Sequence, residues 1–168
     1  MGIMERGVIH FNIAGSVVDD LTTDLRGLSD IKIVRISGQY VLVVASEADS
    51  AITSFVLNES GVPEQRDSQA FNSSSGTGRI WALNFAQISG EMVLLPATRY
   101  EDQTAFFALG GNGSLSGPSF GAASGIFGEG IGLNETVVIG TNTYVFVQSY
   151  GGQTLTAYVL GNNQRLSK

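Results

Sequence analysis

Cysteine is absent from this chain of 168 residues, and histidine occurs once. Without cysteine, the chain forms no disulfide bonds, zinc-thiolate sites or iron–sulfur clusters, and it carries out no thiol catalysis. A Ser-His-Asp triad would have to use His10, which lies within a β-type segment and not on a loop. The sequence therefore shows no catalytic constellation, and it favours a protein that is not an enzyme.

Positive charge is also scarce. Nine Lys and Arg residues stand against fifteen Asp and Glu residues, which gives a net charge of −6. Such a chain repels phosphate backbones, so we expect no nucleic-acid partner. The apolar runs are too short to cross a membrane, and residues 1–7 lack the apolar core of a secretory signal. We expect no membrane insertion. The localisation stays open, with a secreted or extracellular setting preferred.

Glycine, in contrast, is abundant. It supplies 22 of the 168 residues, well above the usual share of about 7%. Glycine commonly marks the tight turns between strands, and no stretch of the chain shows sustained helical periodicity. The composition therefore predicts an all-β fold.

Internal repetition is the strongest pattern in the chain. Three apolar segments align by eye: 37–46, 89–98 and 142–150. The equivalent positions are taken as Ala45, Ala97 and Ser149, each 52 residues from the next. A later strand aligns through Phe55, Phe107 and Tyr158. Agreement of two strands over three copies makes a chance match improbable.

Each copy is predicted to contain four strands, which in the first copy are 31–37, 40–45, 52–57 and 64–71. The second of these is continuously apolar, as expected for a strand with both faces covered. The fourth is polar and fits an outer, solvated strand. The chain is thus interpreted as one all-β domain with a partial repeat at 1–26 and repeats at about 27–76, 77–128 and 129–168.

The first repeat also contains three segments of distinctive sequence, Gly27–Ile31, Gly38–Asp49 and Ile52–Leu57. These residues resemble the propeller-like repeats of large haemolysin-type calcium-binding proteins of marine bacteria, and more distantly those of lactonase-like propellers. The resemblance implies four-stranded propeller blades. Three blades and a leading partial blade are too few for a ring, which usually has roughly four to eight. We therefore expect apolar end faces and self-association, with a homodimer favoured. A β-trefoil, which closes three repeats within one chain, is the alternative.

Two groups of residues are candidate sites. Acidic pairs occur in equivalent turns after the second strand, and a weak cation site there would use Glu47, Asp49, Glu101 and Asp102. Calcium is the ion considered, and no other cofactor is expected. Trp81 and Tyr100 are candidates for an aromatic platform that binds a sugar or a peptide.

Together these features predict a non-enzymatic binding or assembly module that presents its loops to a protein or glycan, in a secreted or particle-associated setting. The alternative, implied by the more distant resemblance, is a lactonase-like hydrolase in which carboxylates hold a divalent metal.

Overall fold

The computed structural model describes residues 14–20, 22–71, 79–99, 104–121, 131–149, 153–160 and 166–167. These residues contain no helix, and hence none long and apolar enough to cross a membrane. Their strands form three antiparallel sheets of four strands each. The all-β prediction is confirmed. The sheets in this part of the chain are open, whereas the β-trefoil alternative requires a closed barrel.

Each sheet is a meander in which the strands pair in chain order. The first sheet consists of β1 (Leu28–Ile36), β2 (Gln39–Ser46), β3 (Ala51–Leu57) and β4 (Pro63–Ala70). The second consists of β5 (Arg79–Ile88), β6 (Glu91–Arg99), β7 (Thr104–Leu109) and β8 (Leu115–Gly121). The third consists of β9 (Ile131–Ile139), β10 (Asn142–Ser149), β11 (Leu155–Leu160) and β12 (Leu166–Ser167). Each sheet lies within the bounds of one predicted repeat.

Two-residue turns join the first and second strands of every sheet, at 37–38, 89–90 and 140–141. In the first turn Ser37 and Gly38 both have positive φ, of 51° and 87°. This is the requirement of a type I′ hairpin, which matches the twist of the strands it joins and which glycine adopts without strain.

These hairpins correct the predicted alignment of the repeats. The residues directly after the turns are Gln39, Glu91 and Asn142. Counting along the second strand from there places Gln148, and not Ser149, at the position of Ala45 and Ala97. The alignment of Phe55, Phe107 and Tyr158 is confirmed, because they pair with the equivalent residues Leu42, Leu94 and Val145. The predicted position was wrong because a continuous apolar run contains no residue that marks its register.

The first strands β1, β5 and β9 lie side by side, and the core fills the two spaces between consecutive sheets. The second sheet contributes alternate residues of β6 to each space. Leu94 packs toward the first sheet, and Val93 and Leu95 pack toward the third. Burial of both faces explains the continuous apolar character of β6.

Hydrogen bonds also join neighbouring sheets. The Leu83 backbone N–H donates to Asp30 Oδ2 at 2.7 Å, and the Ser29 hydroxyl donates to the Ile80 carbonyl at 2.7 Å. Between the second and third sheets, the Thr143 hydroxyl donates to the Gln87 carbonyl at 3.2 Å. Because hydrogen bonds are directional, they fix the relative placement of sheets that apolar contact alone would let slide.

Residues 14–20 and 22–25 are here called the leading segment, and its residues 22–25 cover part of the outer face of the first sheet. The Thr23 carbonyl accepts a hydrogen bond of 2.7 Å from the Thr53 hydroxyl, and Asp24 Oδ2 accepts one of 2.6 Å from the Ser68 hydroxyl. Leu25 packs there on a small cluster formed by Leu42, Val44 and Phe55. The β-type segment predicted at 8–13, with His10, lies outside the described residues.

Candidate binding surface

Among the described residues, the third sheet packs on the second through one of its two faces. Its other face, here called the open face, includes seven apolar residues that point away from the second sheet: Val137, Ile139, Tyr144, Phe146, Leu155, Ala157 and Val159. The strand register also places Glu135 on this face, opposite Phe146, and Asn142, opposite Ile139. Tyr144 lies directly between Val137 and Val159 in the strand pairing, so the face is continuous across β9, β10 and β11. Its exposed aliphatic residues include Val137 at 42%, Ile139 at 58% and Leu155 at 74%. A continuous apolar patch of this kind marks an interaction surface more often than scattered apolar residues do.

The repeat shows how this face is used elsewhere in the molecule. Ile139 is the last residue before its hairpin turn, as Ile88 is in the second sheet and Ile36 in the first. Ile88 is only 7% exposed, because the third sheet covers it. Val43 and Leu95, which correspond to Phe146, are fully buried between sheets. The open face therefore has apolar residues at the same repeat positions as the two faces on which neighbouring sheets pack within this chain.

Charge is almost absent from the third sheet. Between residues 131 and 160 the sequence contains one charged residue, Glu135, although the chain as a whole has a net charge of −6. Glu135 Oε2 accepts a hydrogen bond of 2.9 Å from the Asn84 side-chain amide at the edge next to the second sheet. Depletion of charge is typical of the buried centre of protein–protein interfaces.

The opposite end of the sheet stack differs. Ile31 and Ile33 on β1 are 61% and 58% exposed, whereas the corresponding Leu83 in the second sheet is buried. The outer part of the same face is covered, because the leading segment lies over Phe55 and its neighbours. The prediction of two open apolar end faces therefore applies in full to the third sheet and only to the β1 strip of the first.

The predicted cation site falls on the turn between β2 and β3. Glu47 Oε1 lies 3.0 Å from Arg79 Nη1, and Asp49 Oδ1 lies 3.1 Å from Arg26 Nη2. Each carboxylate therefore faces a guanidinium group. Within the described ranges, no three acidic or histidine side chains form a group that could hold a metal ion. Glu101 and Asp102 lie outside those ranges, and the site stays a prediction.

The predicted aromatic platform is described only for one of its two members. Trp81 lies at a β-bulge of β5, where the pairing with β6 shifts between Ile80 and Ala82, and its side chain is 36% exposed. The first strands of the other two sheets carry a bulge at the equivalent place, so the irregularity belongs to the repeat. Tyr100 lies outside the described residues, and the platform also stays a prediction.

The open face was not among the predicted site residues. One signal in the sequence could have found it, namely the near absence of charge in the third copy together with Tyr144 and Phe146, which alternate with Val145 and Val147.

Comparisons with known proteins add a distant structural similarity. No protein-family model matches the chain, and no curated protein matches it. A solved structure described as BBS1N in complex with ARL6DN, soaked with mercury, aligns over 90% of this chain at 12% sequence identity, with a TM-score of 0.42. The aligned chain spans 57% of the length of that structure's chain.

Proposed function

We propose that this chain is a non-enzymatic assembly module of three propeller-type blades that binds a second copy of itself through the open face. The observation that carries the proposal is the contrast between Ile88 and Ile139, equivalent residues that are 7% and 58% exposed. Ile88 is covered by the third sheet, and we propose that a second copy of the chain covers Ile139.

The arrangement of the sheets supports propeller-type blades. Three consecutive four-stranded meanders pack face to face, and their first strands β1, β5 and β9 are neighbours. A propeller has this organisation, with the first strand of each blade nearest the axis and apolar contacts between successive blades. A terminal blade in such a row has one face without a neighbouring blade, and within the described part of the chain the open face is that face.

The energetics favour a dimer of moderate affinity. Full burial of an aliphatic side chain contributes about 1.5 to 3 kcal/mol, and Val137, Ile139 and Leu155 each have much of that burial still to gain. Association must offset roughly 4 to 15 kcal/mol of lost translational and rotational freedom and side-chain ordering. The entire face is therefore needed, and we expect a dissociation constant in roughly the micromolar range, near 8 kcal/mol of binding free energy.

Sedimentation equilibrium of the purified chain tests this proposal. Replacement of Ile139 by aspartate places a charge in the open face, and because Ile139 is exposed in the monomer the variant should still fold. Val18→Asp is the matched control, since Val18 is an exposed aliphatic residue on the leading segment.

We expect the wild type and Val18→Asp to dimerise with similar dissociation constants and Ile139→Asp to stay monomeric over the same concentrations. Far-ultraviolet circular dichroism serves as the check that all three proteins are folded. A wild type that stays monomeric up to about 100 μM, well above the expected dissociation constant, would overturn the proposal.

A further inference from the structure

We infer that the two copies pair third sheet to third sheet about a two-fold axis, and that they do not close a ring by stacking the third sheet of one copy on the first sheet of the other. This inference rests on the proposed function and specifies which surface of the second copy covers the open face.

The first sheet is not free to receive a complete sheet. Inside the chain, the second sheet packs on the first through all four of its strands, and its contacts include Leu83 on β5, Leu94 on β6 and Phe107 on β7. The corresponding residues on the outer face of the first sheet are Ile31, Leu42 and Phe55. Only Ile31 is exposed, because Leu42 and Phe55 are 9% and 2% exposed beneath the leading segment.

A four-stranded sheet could reach Leu42 and Phe55 only by displacing the leading segment. That segment is held by the hydrogen bond from Thr53 to Thr23 and by the one from Ser68 to Asp24. The Gln65 side-chain amide adds a third, donated to the Thr22 carbonyl at 2.6 Å. Stacking in a ring would have to break these contacts and re-expose Leu25, whereas pairing of two open faces breaks none.

The charge distribution permits a surface to pair with itself. In an isologous contact every residue near the axis meets its own copy, so any charge there meets a charge of the same sign. The stretch 131–160 carries only Glu135, whereas the first sheet, 28–70, carries nine charged residues. These are Asp30, Lys32, Arg35, Glu47, Asp49, Glu59, Glu64, Arg66 and Asp67. The third sheet is therefore far better suited than the first to contact its own copy.

The open face is also shaped for sheet-on-sheet packing. β10 runs along its middle, with β9 on one side and β11 on the other, and Phe146 stands opposite Ala157 across the β10–β11 pair. Two such faces pack about 10 Å apart with interdigitating side chains. A two-fold axis that runs along β11 over Ala157 brings each Ala157 close to the Ala157 of the second copy. It keeps the two Glu135 side chains apart, because β9 lies two strands away from β11.

The first test separates the two modes with the full-length chain. The double substitution Ile31→Asp and Ile33→Asp adds charge to the exposed strip of the first sheet and leaves the open face intact. Pairing of third sheet to third sheet predicts that this variant has a dissociation constant within about threefold of the wild-type value. Stacking in a ring predicts a loss of at least about tenfold, and partial recovery when this variant is mixed with Ile139→Asp.

The second test uses the absence of cysteine from the chain. Ala157→Cys provides a single thiol on the open face, and Ser60→Cys provides a control thiol on the exposed turn between β3 and β4. A bismaleimide with a span of about 10 Å, the spacing of packed sheets, should cross-link Ala157→Cys into a covalent dimer and leave Ser60→Cys monomeric.

The outcomes distinguish the inference from the proposal beneath it. A monomeric wild type contradicts both. The other case is a wild type that dimerises, a dimer that is lost on substitution of Ile31 and Ile33, and no cross-linking at position 157. That result contradicts only the pairing of third sheet to third sheet and leaves self-association in place.

Discussion

Replacement of Ile88 by alanine is expected to destabilise the protein much more than the same replacement of Ile139, although the two residues are of one type and stand at one position of the repeat. Ile88 lies in the cluster between the second and third sheets, and Ile139 lies on the open face. Since both precede a two-residue hairpin turn, differences in strand propensity largely cancel between them.

The magnitudes follow from burial. A buried Ile→Ala change costs about 2 to 5 kcal/mol, and we expect about 2.5 kcal/mol for Ile88 because it is close to the end of its strand. Ile139 is already 58% exposed, so its truncation in the monomer should cost about 1 kcal/mol or less. For a domain of this size, each kcal/mol lowers the melting temperature by roughly 2 to 4 °C.

Urea unfolding followed by the fluorescence of Trp81, the single tryptophan, gives both free energies. Measurements at about 0.05 μM, well below the expected dissociation constant, report mainly on the monomer, whereas at about 100 μM the destabilisation by Ile139→Ala should grow because dimerisation stabilises the wild type. Equal costs for the two variants at low concentration would refute the reasoning, because they would mean that Ile139 is covered within one chain.

Two further predictions concern polar groups. Asp30→Ala leaves the Leu83 N–H without its acceptor, so it should lower the free energy of unfolding in urea by about 1 to 2 kcal/mol. The control Lys32→Ala removes only the ion-pair partner of Asp30 and should cost less than about 0.5 kcal/mol. Equal costs for the two variants would contradict the role of the hydrogen bond between the sheets. The Thr22 hydroxyl donates to Asp20 and holds the pKa of its carboxyl below its usual value. The resulting stabilisation is present above the unfolded-state pKa and lost as the pH falls through the folded-state pKa. Thr22→Ala should therefore raise the pKa of Asp20 in a carboxyl NMR titration, and an unchanged value would rule out that cause.

Much of the fold could be predicted from the sequence because the patterns are local. The four strands predicted in the first repeat agree with β1 to β4 to within three residues at each end. Period-two alternation, apolar runs and glycine turns act over a few residues, so they are readable one segment at a time. The register of the third copy was missed by one residue because its apolar strand lacks a marker, and only the pairing across the hairpin fixed it.

The binding surface could not be predicted in the same way. Ile36, Ile88 and Ile139 are the same residue at the same repeat position, so no local pattern distinguishes them. What differs is whether another sheet packs on each. Likewise, the acidic pattern at Glu47 and Asp49 does not reveal that each carboxylate faces an arginine, because Arg26 and Arg79 are distant in sequence.

The sequence by itself determined the all-β class, the spacing of the strands and the repeat, because strand propensity and side-chain alternation are properties of neighbouring residues. Only the tertiary structure decided which of three equivalent apolar faces is left open and that the leading segment covers part of the opposite end. Burial depends on what packs against a face, and residues far away in the chain supply those contacts.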